Sequence, residues 1–175
     1  KMSWNTQELD DSKQEIEWLE KIINSLLFLW ENTIIKETQT FSLMNSLDKI
    51  IEQHESKNTF VIKKDATGIK FTTHQVLFER LLNNIIENAI KYSSSKKITI
   101  WISETYFEVE NDIDFIPTKQ QVNSIFEPFF KFDNSRTSQW YWLGLSIVKR
   151  ITEIFWWKVE AFSVKNNFII RIYFK

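Results

Sequence analysis

Apolar side chains at Leu9, Ile16, Leu19, Ile22, Ile23, Leu26, Leu27 and Leu29 recur mostly every three or four residues, with Glu and Lys between them. That period predicts an amphipathic helix over 6–30. The stripe is too long for an isolated helix to leave in water, so this helix is expected to pack on a partner helix. A second helical period runs over 43–53, with Leu43, Leu47, Ile50 and Ile51 on one face behind a capping Ser42. The period then drops to two. Phe60-Val61-Ile62 and Ile69-Lys70-Phe71-Thr72 read as short strands around a turn at Ala66-Thr67-Gly68, and a hairpin is the simplest pairing.

The clearest helix covers 74–92 and stops at Ser93-Ser94-Ser95. Strands are expected at 97–103 and 106–110, followed by a loop holding Pro117, a short helix over 119–125 and a polar loop over 133–139. A helix over 143–155 and a strand pair at 158–164 and 168–174 complete the chain. This order predicts an α+β fold, a two-layer α/β sandwich with helices on one face of a mixed, mostly antiparallel sheet, preceded by the long N-terminal helix.

Composition narrows the function. The 175 residues suffice for one core and an accessory element. A net charge of -1 gives no basic footprint, so no nucleic-acid partner is expected. With no cysteine there is neither a disulfide framework nor a thiolate metal site, and two separated histidines argue against zinc. No apolar run reaches the ~18–20 residues of a membrane span. Glycine is scarce: 2 residues stand where average usage predicts about 12, beside 8 tryptophans.

Candidate chemistry begins on the 74–92 helix. Asn84, Asn88 and Lys91 lie at four- and three-residue steps on one face. Two amides and an ammonium in a row can coordinate a metal through oxygen and reach phosphate oxygens, although the same row is equally a solvated polar face. Two more segments follow in order, Ile125-Phe126-Glu127-Pro128-Phe129-Phe130-Lys131 and Leu143-Gly144-Leu145-Ser146-Ile147-Val148-Lys149-Arg150. With Asn84-x-x-x-Asn88-Ala89-x-Lys91-Tyr92, they resemble the ATP-binding domain of bacterial sensor histidine kinases, the HATPase_c or GHKL class with the Bergerat fold.

The resemblance implies that 41–175 is the catalytic ATP-binding domain, and that 1–40 is the second helix of a dimerisation hairpin with its linker. It implies ATP and Mg2+ as cofactors. Asn88 would hold the magnesium that bridges the phosphates, Lys91 and Tyr92 would line the nucleotide pocket, and Asn84 would be a nearby polar contact; Asn84, Asn88 and Lys91 form the expected catalytic set. Asn111 stands where the family has an adenine-binding aspartate, and an asparagine carbonyl can still accept that hydrogen bond. Ile113 and Phe115 fill two glycine positions of the same box. Phe126, Phe129 and Phe130 match the aromatics that anchor a lid, with Lys131 and Arg136 set to meet phosphates. Trp140, Trp142, Leu143, Gly144 and Leu145 align with the family's glycine-rich phosphate loop, of which only Gly144 keeps its glycine.

The function so implied is transfer of the ATP γ-phosphoryl to a histidine for relay to the receiver domain of a response regulator. The alternative is a degenerate pseudokinase that signals as a scaffold. Related ATPases use a glutamate on the same helix to activate water, and here that place reads Asn84. A homodimer through the N-terminal helix and a cytoplasmic location, with membrane attachment only through an upstream segment, are further implications. His54-Glu55 lacks the family's following Arg-x-Pro, so the acceptor histidine is expected upstream of Lys1, and His74 is expected to be a surface or capping residue. Trp140, Trp142, Trp156 and Trp157 all fall on family glycines. UGA codons read as glycine in one lineage and as tryptophan in another would produce that pattern.

Overall fold

The computed structural model describes residues 6–31, 37–65, 68–130 and 143–174. Helix α1 spans Thr6–Trp30, strand β1 Gln39–Ser42, helix α2 Leu43–His54, strand β2 Thr59–Lys64 and strand β3 Lys70–Thr73. Helix α3 covers Gln75–Tyr92, strands β4 and β5 Lys97–Ile102 and Tyr106–Asp112, and helix α4 Lys119–Ser124. Helix α5, Gly144–Ile154, precedes strands β6 and β7 at Lys158–Val164 and Asn167–Tyr173.

Five strands form one sheet in the order β2-β4-β5-β7-β6, antiparallel except for the parallel β2–β4 pair. Strand pleating sends alternate side chains to one face. Ile98, Ile100 and Ile102 of β4 therefore stand opposite Asn111, Val109 and Phe107 of β5, which in turn face Phe168, Ile170 and Ile172 of β7. All nine are buried. Helices α2, α3 and α5 supply the other wall through Leu47 and Ile50, Phe78, Leu82, Ile85 and Ile86, and Val148 and Ile151, in one continuous core. Each large side chain so buried stabilises the fold by about 1.5–3 kcal/mol. The expected two-layer architecture is present.

One expected pairing is not. Segments 60–62 and 69–72 do not form a hairpin. Strand β2 pairs parallel with β4, in the register Phe60↔Ile98 and Ile62↔Ile100, which requires the crossover that β3 and α3 supply. Strand β3 joins β1 antiparallel in a separate two-stranded ribbon. The aromatic side chain of β3 decides this. Phe71 meets Phe41 at 6.4 Å, Phe78 at 5.2 Å, Trp157 at 5.2 Å and Phe174 at 4.6 Å between ring centroids, which draws β3 away from its sequence neighbour. Gly68 adopts the left-handed region, at φ +73°, while residues 66 and 67 of the expected turn lie outside the described residues. His74 caps α3, its ring nitrogen accepting from the Leu77 amide at 3.4 Å.

Helix α1 divides its apolar residues between two sides. Phe28 is buried in the core, with Ile22, Leu26 and Leu29 packed against it. The Arg80 guanidinium of α3 lies 4.4 Å over the Phe28 ring, and Arg150 Nη2 of α5 donates to the Glu31 carbonyl just past the end of α1 at 2.9 Å. Ile16, Leu19, Ile23, Leu27 and Trp30 remain exposed. No helix among the described residues is long and apolar enough to cross a membrane.

Candidate functional site

The candidate residues lie along α3, which meets the start of α5 at Asn84 and is tied to the end of β5 through Ser93. Helix α3 turns Leu81, Leu82, Ile85, Ile86 and Ala89 into the core, which fixes the direction of its polar row. That row is not a solvated face. Asn88 is only 8% exposed, and its Nδ2 is buried without a hydrogen-bond partner. A buried amide left unpaired costs about 1–3 kcal/mol, a cost that a ligand or an ordered water at this place would remove. Because amide oxygen and nitrogen exchange by a half-turn of the side chain, Asn88 can offer that ligand either a donor or an acceptor.

One turn earlier, Asn84 Nδ2 donates to the Arg80 carbonyl at 2.7 Å, which holds the side chain in place. Its Oδ1 lies against the start of α5, where a β-carbon built on Gly144 would stand 3.0 Å away. Only a glycine lets the α5 terminus sit this close to α3 without displacing Asn84. Leu143 precedes α5 and is buried, as is Leu145. Among the described residues no side chain caps the first turn of α5, and Ser146 Oγ donates to the Leu143 carbonyl at 2.8 Å. The opening amides of a helix, left without a cap, form a ready anion site.

Past Asn88, Lys91 Nζ lies 4.9 Å over the Tyr92 ring at the end of α3. The next residues tie α3 to β5. Ser93 Oγ donates to Asp112 Oδ1 at 2.6 Å, the Ser95 amide donates to Asp112 Oδ2 at 2.9 Å, and Ser94 Oγ donates to Asp114 Oδ1 at 2.5 Å. Burial alone would raise the Asp112 pKa, but the hydrogen bonds from Ser93 and Ser95 outweigh it and hold the carboxyl below its ordinary value. Asn111, beside it, is buried on β5 with Nδ2 donating to the Asp112 carbonyl at 2.9 Å. That donation leaves the Asn111 carbonyl as its acceptor. The sequence reading missed these serine contacts, although the triple serine after the helix, set against Asp112 and Asp114 at a strand end, carried the signal.

Ile113 is buried in the core, its amide donating to the Asn166 carbonyl at 2.8 Å, whereas Phe115 is partly exposed on the following loop. Phe126 and Phe130 pack against the core and Phe129 is exposed at φ +65°. The Glu127 carboxylate pairs with Lys149 of α5 at 3.4 Å, which links this aromatic segment to the same helix. Lys131, Arg136, Trp140 and Trp142 lie outside the described residues. Beside this row on α3, three residues after Asn84, burial raises the Glu87 pKa against the opposing pull of His54 and Lys21.

The model of the histidine kinase-, DNA gyrase B- and HSP90-like ATPase family matches residues 73–172, more than half of the chain. The chain belongs to this family. Sensor histidine kinase YclK of Bacillus subtilis (strain 168) is 36% identical over 142 residues, covering 71% of this chain and 29% of its own length. Sensor histidine kinase HprS of Escherichia coli (strain K12) is 29% identical over 169 residues, covering 91% of this chain and 37% of its own. The chain thus spans about a third of the length of these curated relatives. Among solved structures, histidine kinase ThkA in complex with response regulator protein TrrA superposes with a TM-score of 0.73 at 22% identity, over 97% of this chain and 51% of that one. The matched residues include α3 and α5, the two helices that Asn84 and Gly144 bring together.

Proposed function

We propose that the chain is the catalytic ATP-binding part of a sensor histidine kinase, which transfers the ATP γ-phosphoryl to a histidine for relay to a response-regulator receiver domain. The observation that carries this is the buried Asn88 Nδ2, without a partner among the described residues, on α3, the helix that meets the start of α5 through Asn84 and Gly144. The α5 amides would take phosphate oxygens, Asn111 would accept from the adenine amino group, and Lys91 and Tyr92 would line the pocket. Lys131 and Arg136 would add charge from the segment between Phe130 and α5, and Phe115, Phe130, Trp140, Trp142, Leu143 and Leu145 would border the nucleotide.

Magnesium fits the same place. Among the described residues no cluster of three or more acidic, histidine or cysteine side chains could hold a metal ion. A cation here would depend on the Asn88 carbonyl and the nucleotide's own oxygens, the arrangement magnesium favours, and it would neutralise charge on the phosphates. With no carboxylate at Asn84 or Asn88 to activate water, the site supports positioning and charge neutralisation more than hydrolysis.

The acceptor and the partners belong to the same reading. His54 ends α2, and the Asn58 side chain donates to its carbonyl at 2.8 Å. We place the phospho-acceptor on another helix and α1 in a dimer interface, because the exposed stripe from Ile16 to Trp30 offers a second copy an apolar face. The TrrA complex of ThkA supports a response regulator as the downstream partner. We take the chain to be the cytoplasmic part of a sensor anchored elsewhere in its sequence. Calorimetry with Mg-ATP tests the core of this. Asn88→Ala is expected to weaken binding about 10- to 100-fold, the equivalent of one hydrogen bond to a charged group, while circular dichroism stays unchanged. Equal affinity in both proteins would remove Asn88 from the site.

A further inference from the structure

We propose that the polypeptide made in its own cell carries glycine at position 156, encoded by UGA, and that the same decoding places glycine at 140 and 142. The structural ground is the end of α5. The Trp156 amide donates to the Glu153 carbonyl at 3.1 Å and the Trp157 amide to the Thr152 carbonyl at 2.8 Å. These are the paired bonds of a Schellman motif, and Trp156 fills its left-handed position at φ +59°. Glycine is the usual occupant there, because a β-carbon crowds the neighbouring carbonyl. Trp156 is also 75% exposed, so its indole gains little burial in exchange for the strain.

Left-handed geometry alone does not demand glycine, since Lys96, Phe129 and Lys165 adopt it at φ 60°, 65° and 55°. What sets 156 apart is the helix-ending motif it occupies, taken together with the residue usage of the chain. Two glycines and eight tryptophans in 175 residues depart from ordinary usage in opposite directions, as an exchange of one residue for the other would produce. Trp101 and Trp157, by contrast, use their rings. The Trp101 ring lies in β4 with Lys63 Nζ 4.3 Å above it, and Trp157 meets Phe155, Phe174 and Phe71 at 4.9, 5.1 and 5.2 Å. The helix end therefore singles out 156, and the geometry makes no such demand at 157.

The consequence reaches the site. In the sequence Trp140 and Trp142 stand just before Leu143 and α5. Glycine at both would replace the two indoles of this stretch and give its backbone the freedom to come close to a phosphate. This part rests on the proposed nucleotide site, whereas the decoding itself does not.

The test is peptide mass spectrometry of the protein isolated from its own cells, read beside the codons. Glycine at 156, 140 and 142 with UGA at each is the expected result. Tryptophan at 156, or UGG there, overturns the proposal. Two recombinant variants add independent readouts. Trp156→Gly should raise Tm by about 2–4 °C relative to the chain with tryptophan there, and no rise would mean that the left-handed position carries no strain. W140G/W142G should gain at least about tenfold in Mg-ATP affinity, about 1.4 kcal/mol. Glycine in the native protein without that gain would overturn the nucleotide reading and leave the decoding standing.

Discussion

Asp112 shows how much a single residue outside the expected set can contribute to the site. Its two carboxylate oxygens accept from Ser93 and Ser95, so it fastens the end of α3, next to Lys91 and Tyr92, to the strand that carries Asn111. Hydrogen bonds to a charged group contribute about 1.5–3 kcal/mol each when shielded, and partial exposure here reduces the sum to about 1–2 kcal/mol. Asp112→Ala should lose that amount in urea denaturation at pH 7. The sign of its pH dependence follows from the lowered pKa. A depressed carboxyl contributes stability that is present above the unfolded value of about 3.9 and is lost as pH falls through the folded one. The gap between wild type and variant should therefore close below about pH 4. A gap unchanged at pH 3 would show that the contribution is not the ionised carboxylate.

At the scale of elements, the contact between α3 and α5 makes a prediction that stability alone would miss. Gly144→Ala adds a β-carbon 3.0 Å from Asn84 Oδ1, so the Asn84 side chain must give by a few tenths of an ångström. Alanine is favoured over glycine in a helix interior by about 1 kcal/mol, less at a first position, and that gain roughly offsets the crowding. The expected result is a near-neutral change in Tm with a loss of about fivefold or more in nucleotide affinity. A double-mutant cycle with Asn84→Ala should show coupling, since the alanine at 84 removes the clash; additive effects would mean that the two positions act separately.

The same scale explains what the sequence made legible. Helix and strand positions were readable because Leu81, Ile85 and Ile86 or Ile98, Ile100 and Ile102 keep a strict period against one core. Strand partners were not, because period carries no record of which strand lies alongside. Phe71 pairs by the rings it meets across the fold, and a hairpin was only the nearest choice in sequence. The polar row on α3 was visible as spacing. Its burial at Asn88 was not, since that depends on neighbours from other elements.

At the scale of the whole molecule, α1 carries two apolar faces while the described residues satisfy only one. Phe28 docks on the catalytic layer, and Ile16, Leu19, Ile23, Leu27 and Trp30 turn outward. A second copy seated there would bury ten such side chains across the pair. At about 1 kcal/mol each for half burial, the gain of about 10 kcal/mol falls within the 4–15 kcal/mol that association costs. A balance that narrow is sensitive to one charge. Ile23→Glu should shift the chain from dimer to monomer in light scattering at micromolar concentration, with unchanged circular dichroism because Ile23 is exposed within the single chain. Nucleotide binding should survive, since the substitution lies on the side of α1 away from Phe28 and the core. If the variant instead kept the mass of a dimer, the α1 stripe would not be the interface. If it lost Mg-ATP binding while folded, α1 would be coupled to the nucleotide site through Arg80 and Arg150, the two side chains that meet its docked end.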